Sequence, residues 1–362
     1  MLIEICGDVV QAAEQNKASA LKVLEQVIFA HKSGKHLLFT THSLLIRIIK
    51  IQRLPKYVRK LFSNLKGQIS TIGNIYNQVG IKTKLTYMEN TKRGSGVICI
   101  NPDDALSFDY GAETHLLTEN LIDSEFYSYC VNFYKKRNHI KCNHKYYSLQ
   151  GGGNTMEHVY TKEAEDKQFF CIAISDSDKL SPGDILGQTA KAIKAADDRL
   201  KPFNCCCYIM SRLREVENFI PLELILKNTN YKNSTLVTKD YNIVYSFFDM
   251  KKGIRHSKLY GKDTFLYWQQ NFSAVSQSYV PLFEEIKVSR AIFNKTEYQD
   301  YWGTETIMEG LGEKLLECCL KKYSDKLASI KDSDLSSDQL AEWLTVGELI
   351  FGWSCASSSQ YV

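Results

Sequence analysis

Residues 169–178 of this 362-residue chain have the sequence FFCIAISDSD, in which an apolar run ends abruptly in two aspartates. A short apolar run of this kind is typical of a buried strand. Residues two apart on an extended chain face the same way, so Asp176 and Asp178 are predicted to present both carboxylates to one divalent cation. A second apolar run, 115–118, ends in Glu119. Together the two runs predict a site at the carboxyl edge of a sheet, where open α/β folds bind ligands.

Strands and helices alternate on both sides of this stretch. The patterns predict strands at 114–118, 145–149, 169–174, 203–210 and 243–248, and helices at 121–136, 185–196 and 215–226. Such alternation favours an α/β fold with a largely parallel sheet flanked by helices.

The two ends of the chain have a different pattern. Helical periodicity dominates residues 1–66 and the chain beyond Arg255, with helices predicted at 12–30, 304–327 and 337–350. Residues 67–109 are rich in glycine and β-branched residues and predict a strand-bearing connection. We therefore predict a mainly helical, basic N-terminal region (1–110), a central domain (111–256) and a helical C-terminal region (257–362).

Composition indicates an ordinary folded protein. Hydrophobic residues make up 44% and charged residues 24% of the chain, which excludes disordered and fibrous classes. No uncharged apolar run reaches about 18 residues, so no membrane partner is expected. Glu4 and Asp8 interrupt the first apolar stretch, which argues against a signal peptide. The eleven cysteines are therefore expected to be reduced thiols in a cytoplasmic protein.

The net charge of +4 is unevenly distributed, with an excess of basic residues in the N-terminal region. Arg47, Lys50 and Arg53 are three residues apart and share one helical face. This face is predicted to bind nucleic-acid phosphates with release of counterions. A solvated helix face explains the same pattern, and both interpretations stay open.

Further polar features follow one another along the central domain. In chain order they are Glu119 with Asp123 four residues later, the triplet Gly151 to Gly153, the Asp176-Ser177-Asp178 segment, and Arg214-Glu215-Val216-Glu217-Asn218. This order resembles the TOPRIM domain of topoisomerases, primases and several nucleases. The spacing of Asp123 and the Arg-Glu-x-Glu-Asn segment are most similar to the OLD-family nucleases and related TOPRIM effectors of antiphage defence. The resemblance covers roughly residues 112–255.

The resemblance implies a catalytic domain that binds two Mg²⁺ or Mn²⁺ ions. Glu119 would ligate an ion or act as general base, Asp176 and Asp178 would hold an ion beside a phosphate, and Asp123 would ligate the second. Glu215 or Glu217 would complete the second site. A lysine after the last strand would stabilise charge at the scissile phosphate, and Lys252 is slightly favoured over Lys251. The turn at Gly152 and Gly153 would bring backbone amides to phosphate oxygens.

Each of these features also has a purely structural interpretation. Glu119 and Asp123, like Glu215 and Glu217, can be the acidic residues that stabilise a helix N-terminus. The glycines can form a flexible turn, and the lysines can be solvated.

Two departures from the family pattern bear on function. Asn120 stands where the family has a glycine, and the chain has no GxxxxGK[ST] sequence for ATP binding. The resemblance therefore implies that a separate ABC-type ATPase subunit regulates the chain. The sequence does not determine the oligomeric state, and a homo-oligomer is one of the possible states. The predicted function is a metal-dependent endonuclease acting on DNA or RNA in antiphage defence. The alternatives are a catalytically silent TOPRIM-like module that binds nucleic acid or scaffolds a complex, and a primase or topoisomerase component.

Overall fold

The computed structural model describes residues 1–227 and 245–358, and the chain divides into two compact units. The first unit comprises Met1–Ile174, Ala192–Tyr208 and the residues from Leu344 onward. The second comprises Ser175–Lys191 and Ile209–Trp343. Neither unit is a continuous stretch of sequence, so the units do not coincide with the three regions predicted above.

A five-stranded sheet in the first unit is built from the N-terminal 100 residues. Its strands are β1 (Leu2–Ile5), β2 (Leu37–Phe39), β3 (Lys82–Leu85), β4 (Lys92–Arg93) and β5 (Val97–Ile100). Their order is β2-β1-β3-β5-β4, and all neighbours are parallel except β4 and β5. The intervening helices are α1 (Gly7–Glu14), α2 (Ala18–Lys32), α3 (His42–Lys50), α4 (Lys56–Leu65) and α5 (Ile69–Tyr76).

The sequence did not predict β1 and β2, because residues 1–66 were interpreted as mainly helical. These strands have only four and three residues, and short apolar runs cannot be assigned to strand or helix by periodicity alone. The single helix predicted over 12–30 is two helices, α1 and α2. The chain turns between them at Asn16, which has a φ of 64°.

The predicted α/β alternation is confirmed by a four-stranded sheet. Its strands are β6 (Thr114–Thr118), β8 (Tyr146–Gln150), β9 (Cys171–Ser175) and β10 (Cys205–Ile209), in the order β10-β9-β6-β8. β6 is parallel to both β8 and β9. The associated helices are α6 (Leu121–Arg137), α7 (Met156–Asp166) and α8 (Gln188–Leu200), and the short strand β7 (Asn143–His144) lies outside this sheet. The protein is therefore α/β, with mostly parallel sheets flanked by helices.

A core of small and aliphatic residues with one tyrosine holds α7 and part of α8 against this sheet. All five residues of β9 are buried, as expected for a parallel strand covered on both faces. Cys171 of β9 and Cys205 of β10 contribute as small apolar residues. The core comprises Leu117, Met156, Tyr160, Ala164, Cys171, Ala173, Ile193, Ala196 and Cys205.

The described part of the second unit is mainly helical. Its elements are α9 (Leu222–Leu226), β11 (Ile254–Arg255), α10 (Lys262–Val275), α11 (Val280–Ile292), α12 (Lys295–Trp302), β12 (Thr306–Met308) and α13 (Leu315–Ala328). Helix α14 (Ser337–Ser354) begins in this unit and ends in the first, where β13 (Cys355–Ala356) pairs with β7. Among the described residues, no helix has the length and apolar character needed to cross a bilayer.

Three predicted elements of this part of the chain differ from the structure. The helix predicted over 304–327 is β12, paired antiparallel with β11, followed by α13. The helix predicted over 215–226 is a short 3-10 helix and then α9, because Pro221 between them has no amide to donate. Of the strand predicted over 243–248, residues 243 and 244 lie outside the described residues, and Tyr245–Phe247 form a 3-10 turn.

Candidate metal centre

The residues that follow β9 are hydrogen-bonded to the segment that follows β10. Ser177 and Asp178 both donate their amides to the carbonyl oxygen of Arg214, over 2.9 and 3.1 Å. Val216 donates its amide to Oδ1 of Asp176 over 3.1 Å. These bonds hold the Asp176 carboxylate beside the segment that carries the two glutamates.

Glu215 and Glu217 lie at the start of a 3-10 helix, Val216–Phe219, that is fixed from both sides. The Glu215 amide donates to Oδ1 of Asn218 over 2.9 Å, and the Glu215 side chain accepts the Asn218 amide in return. Side chains of Gln339 and Trp343 donate to carbonyl oxygens of residues 218–220. Because these hydrogen bonds fix the backbone that carries the glutamates, that backbone has little freedom to move.

Three carboxylates converge here. One oxygen from each of Asp176, Glu215 and Glu217 lies within 4.8 Å of the other two. Glu215 and Glu217 are only 2% and 4% exposed. The ammonium of Lys251 lies 3.5 Å from Oε2 of Glu215 and 3.2 Å from Oε2 of Glu217. We call these three carboxylates the acidic cluster.

Burial and a neighbouring carboxylate change the protonation of Glu215. Burial, followed by the charge of Glu217, raises the pKa of Glu215 to about 8. Burial alone would lower the pKa of Lys251, but Glu215, Glu217 and Asp176 raise it above its ordinary value. Lys251 is therefore fully charged at neutral pH, whereas Glu215 keeps its proton until the pH approaches 8 or a bound cation displaces it.

The donor set of the acidic cluster fits a hard divalent cation. Mg²⁺ and Mn²⁺ prefer carboxylate oxygens, and three such groups meet here. Oε2 of Glu217 is buried, and the 3.2 Å ion pair with Lys251 lacks hydrogen-bond geometry, so this oxygen has no hydrogen bond among the described residues. A buried carboxylate oxygen that lacks a hydrogen bond is typical of a metal ligand whose ion has not yet bound.

Asp178 does not share the orientation predicted for it. The expectation assumed an extended chain, but β9 ends at Ser175 and Asp178 has a left-handed φ of 55°. Its side chain is 43% exposed, and Oδ1 lies 3.8 Å from Nη2 of Arg214. Within the described part of the chain, the group of potential ligands contains Asp176 and both glutamates but not Asp178.

Glu119 and Asp123 lie in the first unit, whereas the acidic cluster lies in the second. Glu119 is half-buried and directly follows β6. Asp123 accepts the Asn120 amide over 2.9 Å and forms a capping box at the start of α6. Asp123 therefore makes the contact expected of a carboxylate that stabilises a helix N-terminus.

The glycine triplet forms a tight turn between β8 and α7. Gly152 and Gly153 have φ values of 69° and 56°, a region that glycine adopts without strain. The Gly151 amide donates to the carbonyl of Thr118 over 2.7 Å, and the Gly152 amide donates to the carbonyl of Glu119 over 3.0 Å. The expectation that the Gly152 amide is free for phosphate is therefore wrong, since it joins the ends of β6 and β8.

The structure places Lys251, not Lys252, at the acidic cluster. The ammonium of Lys252 lies 3.8 Å from Oε1 of Glu313, and its side chain is 60% exposed. The sequence could not separate these neighbours, because the direction of each side chain depends on the turn at Asp249–Gly253.

Arg214 has a positioning role that the sequence did not reveal, although its place before Glu215 was noted. Its Nη1 donates to the carbonyl of Asp178 over 2.8 Å, and its Nη2 donates to Oδ2 of Asp249 over 3.1 Å. The Arg214 side chain thus connects the loop after β9 to the turn that carries Lys251. The sequence feature that could have indicated this positioning role is an arginine next to a run of acidic residues.

The basic residues of α3 and the turn after it also lie together in the first unit. Arg47, Lys50 and Arg53 line a surface cavity of about 480 Å³ with Glu14. Arg47 forms a two-pronged ion pair with Glu14, with distances of 2.9 and 2.6 Å. One of the three positive charges is therefore partly neutralised within the protein.

Comparisons with known proteins identify no relative of this chain. No protein-family model, no curated protein and no solved structure matches it.

Proposed function

We propose that this chain is a metal-dependent endonuclease that hydrolyses phosphodiester bonds in nucleic acid. The observation that carries the proposal is the convergence of Asp176, Glu215 and Glu217 beside Lys251. Three carboxylates alone would repel a phosphate backbone, and a cation is needed before nucleic acid can approach them.

Each residue of the centre has a stated task in this proposal. Asp176, Glu215 and Glu217 would hold Mg²⁺ or Mn²⁺, which when bound polarises a phosphoryl oxygen and neutralises developing charge. Val216 keeps the Asp176 carboxylate in place, and Lys251 would offer its ammonium to a phosphate oxygen. Glu119 remains proposed as a metal ligand or as general base, and Asp123 as a ligand of a second ion.

The biological setting is a proposal that rests on the order of residues in the sequence. The resemblance to TOPRIM and OLD-family nucleases supports a cytoplasmic effector of bacterial antiphage defence. Because the chain has no GxxxxGK[ST] sequence, a separate ABC-type ATPase is proposed as the regulatory partner.

One observation favours a second candidate, a catalytically silent TOPRIM-like module that binds nucleic acid or scaffolds a complex. Lys251 already compensates part of the charge of the acidic cluster, and Glu215 accepts the Met250 amide over 2.8 Å. These contacts also describe a structural ion-pair network that needs no metal.

The two candidates differ in their response to metal. The purified chain is incubated with plasmid DNA and with structured RNA in Mn²⁺, in Mg²⁺ and in EDTA. We expect cleavage of at least one substrate that EDTA abolishes and added Mn²⁺ restores. An Asp176→Asn chain purified in the same way shows whether the activity belongs to this protein. Binding without cleavage in every condition, unchanged by Asp176→Asn, would support the silent module.

Neutralising the basic face is expected to weaken nucleic-acid binding. Replacing Arg47, Lys50 and Arg53 by glutamine removes charges that can contact phosphates, and each lost phosphate contact reduces the slope of log K against log salt by about 0.9 on duplex DNA. Arg47 is expected to contribute least, because Glu14 already pairs with it. Fluorescence anisotropy at several salt concentrations measures the slope.

The matched control removes exposed charges elsewhere in the first unit, at Lys136 and Arg137. We expect that double glutamine variant to retain the slope of the original chain. If the variant at positions 47, 50 and 53 has the same slope as the original chain, the basic face contacts solvent and not nucleic acid.

A further inference from the structure

The ammonium of Lys251 lies against the two glutamates of the acidic cluster. It is within 3.5 Å of Oε2 of Glu215 and within 3.2 Å of Oε2 of Glu217. Oε1 of Glu215 accepts the Met250 amide, so the oxygen that faces Lys251 is the other one. An ammonium and a divalent cation would therefore compete for the same two oxygens.

The backbone beneath Lys251 is fixed, whereas its side chain can leave the acidic cluster. The carbonyl of Lys251 accepts the Gly312 amide over 3.0 Å, and the carbonyl of Met250 accepts the Leu311 amide over 2.7 Å. The Lys251 side chain is 25% exposed, in contrast to the buried glutamates. A lysine has a flexible four-carbon stem, so its ammonium can move without rearrangement of the turn.

The electrostatic environment of the Lys251 ammonium differs between the metal-free and the metal-bound protein. Without metal, the ammonium offsets repulsion among the clustered carboxylates. With a divalent cation at the same oxygens, the two positive groups repel each other at close range in a buried site, where charges are weakly screened. Both cannot keep their contacts, and the doubly charged ion gains more from the carboxylates.

We propose that Lys251 is a built-in counter-ion of the metal centre, which holds the carboxylates together until a divalent cation displaces its ammonium. The displaced ammonium would then be available to a phosphate oxygen near the ion. This inference rests on the proposed function, because it assigns the acidic cluster to a cation.

The test measures Mn²⁺ binding in the absence of nucleic acid. Isothermal titration compares the original chain with Lys251→Met, which keeps the apolar stem and removes the charge, and with Lys252→Met, its exposed neighbour. We expect Lys251→Met to bind Mn²⁺ at least about tenfold more tightly than the original chain, because the competing positive charge is gone. We expect Lys252→Met to bind as the original chain does. Equal or weaker binding by Lys251→Met would overturn the displacement.

A second measurement guards against a variant that is merely misfolded. Without metal, Lys251→Met is expected to have a lower midpoint of thermal unfolding, and added Mn²⁺ is expected to raise it by more than in the original chain. Lys251→Arg keeps the charge and should retain the original affinity. A Lys251→Met midpoint that Mn²⁺ raises no further than in the original chain also counts against the displacement.

The outcomes separate this inference from the proposed function. If the original chain and both methionine variants bind no Mn²⁺, the metal centre itself is wrong. If the original chain binds Mn²⁺ and Lys251→Met binds no tighter, the centre stands and only the displacement falls. Binding detected only after Lys251→Met supports both.

Discussion

Replacement of Asp176 by asparagine is expected to lower the rate of metal-dependent cleavage by at least about a hundredfold, since the ion supplies several kcal/mol of charge stabilisation in the transition state. The substitution keeps Oδ1, which accepts the Val216 amide, and so preserves the shape of the loop after β9. What it removes is one negative charge from the acidic cluster. Initial rates of plasmid or RNA cleavage in saturating Mn²⁺ measure the loss.

Two matched variants define what this result means. Glu313→Gln removes an exposed carboxylate of the same unit, which contacts only Lys252 among the ion pairs described, and is expected to leave the rate unchanged. Asp178→Asn is expected to have a smaller effect than Asp176→Asn, because Asp178 is exposed and lies outside the acidic cluster. Full activity in Asp176→Asn would remove the acidic cluster from any account of cleavage.

The stability of the metal-free protein is expected to fall as pH rises from about 4.5 to about 8, because Glu215 stays protonated in the folded chain over this range. Its pKa is raised from 4.5 to about 8, so in this range the unfolded chain releases a proton that the folded chain retains. The contribution of Glu215 is fully present below pH 4.5 and is lost as pH approaches 8. A shift of one pKa unit corresponds to about 1.4 kcal/mol, so we expect a loss of at least about 2 kcal/mol.

Glu215→Gln isolates this contribution. Glutamine can still accept the Met250 amide but carries no titrating group, so the variant is expected to lose less stability than the original chain over this pH range. Free energies of unfolding from urea titrations in EDTA at pH 5 and pH 8 measure the difference. The groups that set the Glu215 pKa, namely Glu217, Lys251, Asp249 and Arg214, are the same in both proteins. Equal pH dependence in both would show that Glu215 titrates normally.

Metal should reverse the effect at the upper end of the range. Mn²⁺ binds the ionised carboxylate and is expected to stabilise the original chain more at pH 8 than at pH 5, because protons compete with the ion at the lower pH. A stabilisation by Mn²⁺ that is the same at both pH values would argue that Glu215 is not a ligand.

Local patterns predicted the central part of the fold well. β6 has the predicted bounds, and α6, β9 and β10 were predicted to within a few residues. Each is a strong pattern, either a continuous apolar run or a helical repeat that ends in a clear boundary. β1 and β2 were missed because such short strands become visible only when they pair, and their partners are distant in sequence.

The candidate site was predicted only in part. Asp176 was identified because an acidic residue directly after an apolar run stands out in a sequence, and the two glutamates were identified through the Arg-Glu-x-Glu-Asn segment of the family resemblance. The orientation of Asp178 was not, because a single left-handed residue reverses the alternation expected of an extended chain. Lys251 was placed second to Lys252, and Arg214 had no assigned role, because neither position has a distinctive local pattern.

What the sequence determined by itself was the class of fold and the acids that can serve as ligands, since strand and helix periodicity and the chemistry of a side chain are local properties. Only the tertiary structure decided which of those acids meet and which lysine neutralises them. Asp176 and Glu217 are 41 residues apart, and Lys251 comes later still, yet their charged atoms converge. Interactions among buried charges depend on distance and burial, and both are set by how the chain packs.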